Sequence, residues 1–446
     1  MVAVKGRRLA AFAVAGLLLA APAGAEAGAA ARVAAGTAPA GSGFVTFAEF
    51  IADVSRTHYG AALSAGRVGA VRGEAAFEQM RGHVLDMYKG VDVKHSYLSP
   101  DGYFDCVSVD SQPSVKALGG KEVAAPPPAG SGPPAADKAP GDAIGAPSAL
   151  TLGDKDAFGH AISCGPGTIP MQRITMERLT KFADLRAFLA KEPGGGGGSR
   201  AAADPYVHHY AVGQQVVGNH GGQSSLALYN QAGDFSISQQ WYINDTAGYI
   251  QTAEGGWIRY PQKFGDRSVT FIYFTADSYT STGCYNLDCV GFVQTNRNWA
   301  LGGGWSIYST PGGAQYQFTM QWQWYQGNWW MFLQGAGAME AVGYYPGYVY
   351  RGGPLASYAN RSDFGGETAR LFSTFAQMGS GYYAASGWTW AAYQHTIFYL
   401  VNGGSYWSSL WPTATVPHCY TINYTPASAG WNWGTFFYFG GPGGYC

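Results

Sequence analysis

Two glutamates in the C-terminal half sit in surroundings that suit catalysis. Glu254 lies in Ile250-Gln251-Thr252-Ala253-Glu254-Gly255-Gly256-Trp257, and Glu367 in Phe364-Gly365-Gly366-Glu367-Thr368. Each is in a strand-like segment, and the paired glycines leave room beside the carboxylate for a ligand backbone. The plainer reading of either residue is an exposed charge at a strand edge. Other chemistry has less footing. No Gly-x-Ser-x-Gly motif offers a nucleophilic serine on a strained turn. His208 and His209 are adjacent, so on a strand they face opposite ways and make a poor metal pair. No phosphate-cradling loop or nucleotide fingerprint occurs. Two carboxylates remain, and they support two reaction classes. A glycosidase uses one as acid and the other as base or nucleophile. An acid peptidase uses one as base on water and keeps the other protonated. Aromatic grooves suit sugars and proline-rich peptides alike, so the residues alone leave both classes open.

Charge and cysteine usage narrow the setting. The chain has 446 residues, a net charge of −1 and only 12% charged residues, with no basic or acidic block to favour nucleic acid. Beyond residue 205, glutamate occurs only at Glu254, Glu340 and Glu367, so acidification adds little net charge. Such a domain should resist acid unfolding, which suggests an acidic workplace. The N-terminus reads as an export signal over residues 1–25: Lys5, Arg7 and Arg8, an apolar core from Leu9 to Ala21, and the small-residue site Ala23-Gly24-Ala25. Six cysteines in an exported chain imply disulfides. Cys-x-x-Cys is absent and no histidine lies near Cys284 or Cys289, so zinc is disfavoured. Sequence alone permits every pairing; local pairing gives Cys106–Cys164, Cys284–Cys289 and Cys419–Cys446. No metal or cofactor is expected.

The elements that would position the two glutamates are strands. From Tyr206 onward, short strand patterns alternate with glycine pairs, which argues for an antiparallel β-sandwich. Gln315 to Trp324 alternates without a break, with Tyr316, Phe318, Met320, Trp322 and Trp324 on one face and Gln and Thr on the other. A neutral, amide-rich face suits a groove that hydrogen-bonds a polymer backbone, and Gln321 is a candidate substrate contact on that ground. Val269–Thr275 reads as a buried strand. Upstream, Thr46 and Glu49 form a capping box ahead of one helix, and Phe77, Met80, Val84, Met87 and Val91 mark a second. Residues 93–110 turn strand-like around Pro100-Asp101-Gly102, and residues 119–148 read as a flexible Pro/Ala/Gly spacer. A third helix is expected from about Thr175 to Lys191, ended by Pro193 and a glycine linker within 192–204. The expected plan is therefore a small α+β unit over 26–204 ahead of an all-β domain over 205–446.

Several of these motifs resemble the neprosin family of glutamic endopeptidases. They are His209-Tyr210-Ala211-Val212, Thr252-Ala253-Glu254-Gly255-Gly256-Trp257, and the run from Thr282-Gly283-Cys284-Tyr285-Asn286 to Cys289-Val290-Gly291-Phe292. Asn328-Trp329-Trp330-Met331, Val342-Gly343-Tyr344-Tyr345-Pro346, Gly365-Gly366-Glu367 and Trp433-Gly434-Thr435-Phe436 follow in family order. Asp105-Cys106-Val107 and Cys164-Gly165-Pro166-Gly167-Thr168-Ile169-Pro170 resemble blocks of the family's activation domain. The resemblance implies a secreted, extracellular zymogen with a β-sandwich catalytic domain and Glu254 and Glu367 as the catalytic pair. It implies a peptide or protein substrate, with cleavage after proline, and an inhibitory prodomain. No nucleic-acid partner is expected, nor a membrane once the signal is removed. Trp257, Tyr279 and Tyr285 join Gln321 as candidate substrate contacts.

Overall fold

The computed structural model describes residues 43–120, 122–128, 132, 134, 155–191, 207–369, 374–402 and 404–446. The export signal and the glycine linker lie outside the described residues, as does most of the 119–148 spacer. The described residues all fall in one compact unit.

The N-terminal part builds helices around a small sheet. Thr46 caps α1 (Phe47–Arg56): its hydroxyl accepts from Glu49 N, and the Glu49 carboxylate accepts from Thr46 N at 2.9 Å. After α2 (Tyr59–Ser64), α3 (Glu74–Tyr88) buries Phe77, Met80, Val84 and Met87, as their spacing predicts, while Val91 falls beyond the helix end, past Gly90. Strands β1 (Val93–Ser99) and β2 (Gly102–Ser108) form a hairpin, and after α4 (Pro113–Ala117), β3 (Thr168–Gln172) adds to β2. The Cys106–Cys164 disulfide closes this sheet; Cys284–Cys289 and Cys419–Cys446 form as expected from local pairing.

The single helix expected over 175–191 is instead two short ones, α5 (Met176–Leu179) and α6 (Leu185–Leu189). The cause is local. The Asp184 carboxylate accepts from Ala187 N and starts a new helix. The carbonyls of Thr180 and Ala183 accept from Ala70 N and Arg72 N, so neither is free for the i→i+4 ladder.

The rest is a two-sheet sandwich. Six strands form one sheet in the order β16-β4-β13-β6-β7-β8: β16 (Trp411–Ala414), β4 (His208–Asn219), β13 (Ala359–Ala369), β6 (Ser236–Asn244), β7 (Gln251–Arg259) and β8 (Val269–Thr275). The second sheet runs β17-β18-β14-β5-β10-β11-β12-β9, with β15 also paired to β14. Its strands are β17 (Thr421–Thr425), β18 (Phe436–Gly440), β14 (Ala392–Val401), β5 (Gly221–Ala227), β10 (Gln317–Tyr325), β11 (Asn328–Gln334), β12 (Glu340–Pro346), β9 (Val293–Gln294) and β15 (Gly404–Trp407). Every pair is antiparallel. A short helix, α7 (Pro261–Phe264), joins β7 to β8.

Odd-numbered residues of β7 and even-numbered residues of β10 meet in the core. A Cβ on Gly255 would stand 2.9 Å from Met320 Sδ. Trp257, Phe318, Met320 and Trp322 are all buried there. By the same alternation, Glu254 on β7 and Gln321 on β10 point away from the core, on opposite outer faces of the sandwich.

The N-terminal part is tied to the sandwich by buried polar contacts. Asp101 at the β1–β2 turn chelates Arg267 at 2.9 and 2.5 Å and accepts from Gly304 N at 2.9 Å. Gln112 exchanges hydrogen bonds with the Gln294 backbone at 2.9 and 3.0 Å. Asp288 receives Lys263 at 2.9 Å and Arg178 at 3.4 Å, while its carbonyl meets His83 Nε2 at 2.8 Å.

Candidate functional site

The six-stranded sheet brings Glu254 and Glu367 together. Trp241 on β6 pairs with Glu254 on β7 and with Asp363 on β13, and Glu367 lies two repeats of the pleat further along β13. Gln239 of the intervening strand stands between the two glutamates. Both glutamates are on central strands and at most 1% exposed. The strand-edge reading is therefore wrong for both.

One cation joins them. The Lys191 ammonium lies 2.6 Å from Glu254 Oε2 and 3.1 Å from Glu367 Oε2. The rings of Trp241 and Tyr279 face it with centroids at 5.3 and 5.6 Å. Lys191 is itself 3% exposed. The remaining lone pairs are also used. Glu254 Oε1 accepts from Tyr279 OH at 2.6 Å and Thr252 Oγ1 at 2.7 Å, and Oε2 accepts from Gln239 Nε2 at 3.2 Å. Glu367 Oε1 contacts His208 Nδ1 at 2.8 Å and accepts from Tyr210 OH at 3.2 Å. Burial pushes the Glu367 carboxyl up, but Lys191 and His208 outweigh it and hold it down at about 2. Burial, and then the Glu254 charge, keeps the Tyr279 hydroxyl protonated far above its ordinary range.

Lys191 arrives on a backbone gripped along its length. Tyr285 OH donates to the Lys191 carbonyl at 2.5 Å, Tyr273 OH to Leu189 O at 3.3 Å, and Lys263 Nζ to Phe188 O at 2.6 Å. The Asp184-capped start of α6 sets this approach: it turns the chain so that the segment after Leu189 enters the cleft over β8. Such an arrangement can hold a peptide by its carbonyls while a side chain reaches the carboxylates.

Of the four candidate substrate contacts, Tyr279 and Tyr285 line this cleft. Trp257 does not: it has the opposite parity to Glu254, lies in the inter-sheet core and donates from Nε1 to Ala227 O at 2.8 Å. Gln321 does not either, because it sits on the outer face of the other sheet. The glycines also have a different role from the one their position suggested. A Cβ on Gly256 would meet Ser238 O at 2.0 Å, and one on Gly366 would meet Phe439 and Met378 at 2.6 and 2.7 Å. They allow close strand and sheet packing behind the glutamates rather than access for a ligand.

Sequence reasoning missed Lys191, Trp241, Gln239, Thr252, His208 and Tyr210. Alternation along β4 was the available signal for the last two: His208 and Tyr210 share a face, and Tyr210 pairs in register with Glu367. Among the described residues, no group of His, Cys, Asp and Glu could hold a metal ion. No helix there is long and apolar enough to cross a membrane. Residues 232–442 match the family model described as Neprosin. The match spans β6 to β18 and contains both glutamates, so this part of the chain is similar to a neprosin domain.

Proposed function

We propose that this chain is a neprosin-type peptidase: a secreted, acid-acting glutamic endopeptidase made as a zymogen, with Glu254 and Glu367 as its catalytic pair and residues 26–204 as the inhibitory prodomain. The observation that carries the reading is the convergence of two buried carboxylates on one ammonium, supplied by a segment that precedes the sandwich. Lys191 Nζ marks the point that both Oε2 atoms can reach. With the lysine withdrawn, a water at that point is held by the same two oxygens.

The chemistry follows from this placement. Two facing carboxylates without a cation between them share a proton. The ionised one takes a proton from the water as its oxygen attacks the scissile carbonyl carbon. The protonated one hydrogen-bonds the developing oxyanion and gives its proton to the leaving amine nitrogen. Tyr279 OH and Gln239 Nε2 are neutral donors beside this point and suit charge developing on oxygen. The state with one shared proton is populated in acid, in keeping with the few carboxylates of the domain. Tyr273, Tyr285 and Lys263 would hold substrate carbonyls as they now hold those of 188–191. The flat walls of Trp241 and Tyr279 suit a proline ring on the acyl side of the cut.

The test is an acid digest of a peptide library read by mass spectrometry, with the wild-type chain, Glu254→Gln and Glu367→Gln. The wild type should shorten itself within 192–206 and then cut proline-containing peptides. Each variant should lose at least ~10³-fold in activity, the scale on which removing one group from a catalytic unit acts, while keeping its thermal midpoint. Normal self-processing by both variants would reject the assignment.

A further inference from the structure

The outer face of the second sheet is buried although it faces away from the inter-sheet core. Gln321 pairs with Phe332 on β11 and with Gln223 on β5, and all three point outward, yet they are 3%, 6% and 7% exposed. Trp330 and Tyr344 continue the same face and are buried too. The cover at this end is α4, through Val115, and the proline-rich stretch after it. Val123 and Ala124 pack on Trp330, Phe332 and Tyr344, and Ala124 N donates to Tyr344 OH at 3.1 Å. Pro127 is buried. At the far side of the sheet, Ser405 Oγ on β15 donates to Gly132 O at 2.8 Å.

The two anchor points, Tyr344 on β12 and Ser405 on β15, give the direction. From β12 to β10 is two strand spacings of about 4.8 Å, or roughly 10 Å. Four residues of polyproline II, the length from Ala124 to Pro128, reach roughly 12 Å at about 3.1 Å per residue. Ala124-Ala125-Pro126-Pro127-Pro128 is therefore long enough to reach β10, where Gln321 stands. The face it crosses has the chemistry that polyproline II ligands need: aromatic planes for the rings and neutral groups for the carbonyls. One donor of that kind, Trp330 Nε1, is buried with no partner among the described residues.

We propose that the back of the sandwich is a polyproline II binding groove, lined by Trp330, Phe332, Tyr344, Gln223, Gln321 and Gln323. In the full chain, residues 122–128 fill it. Once the N-terminal part is cut away, it takes a proline-rich segment of another chain. The groove lies on the face opposite the two glutamates, so it holds a proline-rich protein without competing for the cleft. This role for Gln321 is different from contact with the scissile bond.

The test is fluorescence anisotropy at pH 7 on the full chain, with a labelled peptide of the sequence of residues 121–134. Lys191 still occupies the cleft under these conditions, so the readout needs no hydrolysis and its failure leaves the reading of the glutamate pair untouched. Changing Pro126, Pro127 and Pro128 together to Gly should loosen the resident segment and tighten peptide binding at least tenfold over wild type. In that background, Tyr344→Phe, which removes only a hydroxyl, should weaken binding at least threefold, and Gln321→Lys should abolish it. An opened variant that binds no better than wild type overturns the proposal. So does binding indifferent to both further changes, or competition by a neutral glucan but not by a proline decapeptide.

Discussion

Lys191→Met tests the latch most directly, because it should reverse the pH dependence of latency rather than only weaken it. In the closed chain Glu367 is held at about 2 against an ordinary 4.5. The difference corresponds to about 3 kcal/mol favouring the closed form. Because this carboxyl is depressed, that stabilisation is fully present above 4.5 and is lost as pH falls from 4.5 through about 2. His208 stays with Glu367 after the latch leaves, so about 3 kcal/mol is a ceiling for Lys191. Removing one member of a buried ion pair costs about 3–5 kcal/mol, and the lower end of that range agrees. Methionine keeps the length of the side chain and its packing between Trp241 and Tyr279, but brings no charge. Two carboxylates then face each other in a closed cleft and must share a proton. Closure of the variant is favoured in acid and lost as pH rises, opposite in sign to the wild type.

Hydrogen–deuterium exchange of the segment 182–191, corrected for intrinsic rates, reads opening without requiring catalysis. At pH 7, Lys191→Met should lose about 100-fold in protection, the equivalent of roughly 3 kcal/mol. Its protection should rise between pH 7 and 4, where that of the wild type is flat, and the wild type should lose protection only below about pH 4. Lys191→Arg should follow the wild type in sign. If Lys191→Met protects the segment as the wild type does at every pH, the ammonium is not what holds the cleft shut.

Two further variants probe the parts that hold the glutamates. Tyr279→Phe deletes a 2.6 Å hydrogen bond to Glu254, an interaction with a charged group worth about 1.5–3 kcal/mol; kcat/KM on an acid-cleaved peptide should fall roughly 10- to 100-fold, with the thermal midpoint little changed. Gly366→Ala places a methyl within 2.6 Å of Phe439 and 2.7 Å of Met378 in the core behind Glu367; overpacking of this kind costs about 1–3 kcal/mol, which calorimetry should show as a midpoint several degrees lower.

What could be read from the sequence, and what could not, divides by range of interaction. Patterns carried by neighbours along the chain hold in the structure. The Thr46–Glu49 capping box forms with both of its bonds, the apolar spacing from Phe77 to Met87 is one buried helix face, and Gln317–Tyr325 alternates as a strand. Local cysteine pairing holds for the same reason. The readings that depended on what faces a strand do not all hold. Trp257 sits three residues from Glu254, and that odd separation sends it to the core. The 175–191 segment has a helical spacing of apolar residues, but the Ala70 and Arg72 amides take its carbonyls, a contact about a hundred residues away in sequence.

The site itself shows why its central residue escaped notice. Lys191 is a single lysine ahead of a glycine run, and in sequence it has no neighbour that marks it as functional. Its meaning comes from a cleft assembled by β4, β6, β7, β8 and β13, and from three donors, on Tyr273, Tyr285 and Lys263, that fix its backbone by carbonyls any residue could supply. Backbone gripping leaves no residue-type signature, and so neither the latch nor a substrate held in the same way can be read from composition. The amide-rich face of β10 shows the converse. Its pattern is legible, but alternation alone does not say on which side of the sandwich the amide face lies. Met320 against Gly255 decides it: that contact turns Gln321 outward, to the face of the sandwich opposite the glutamates.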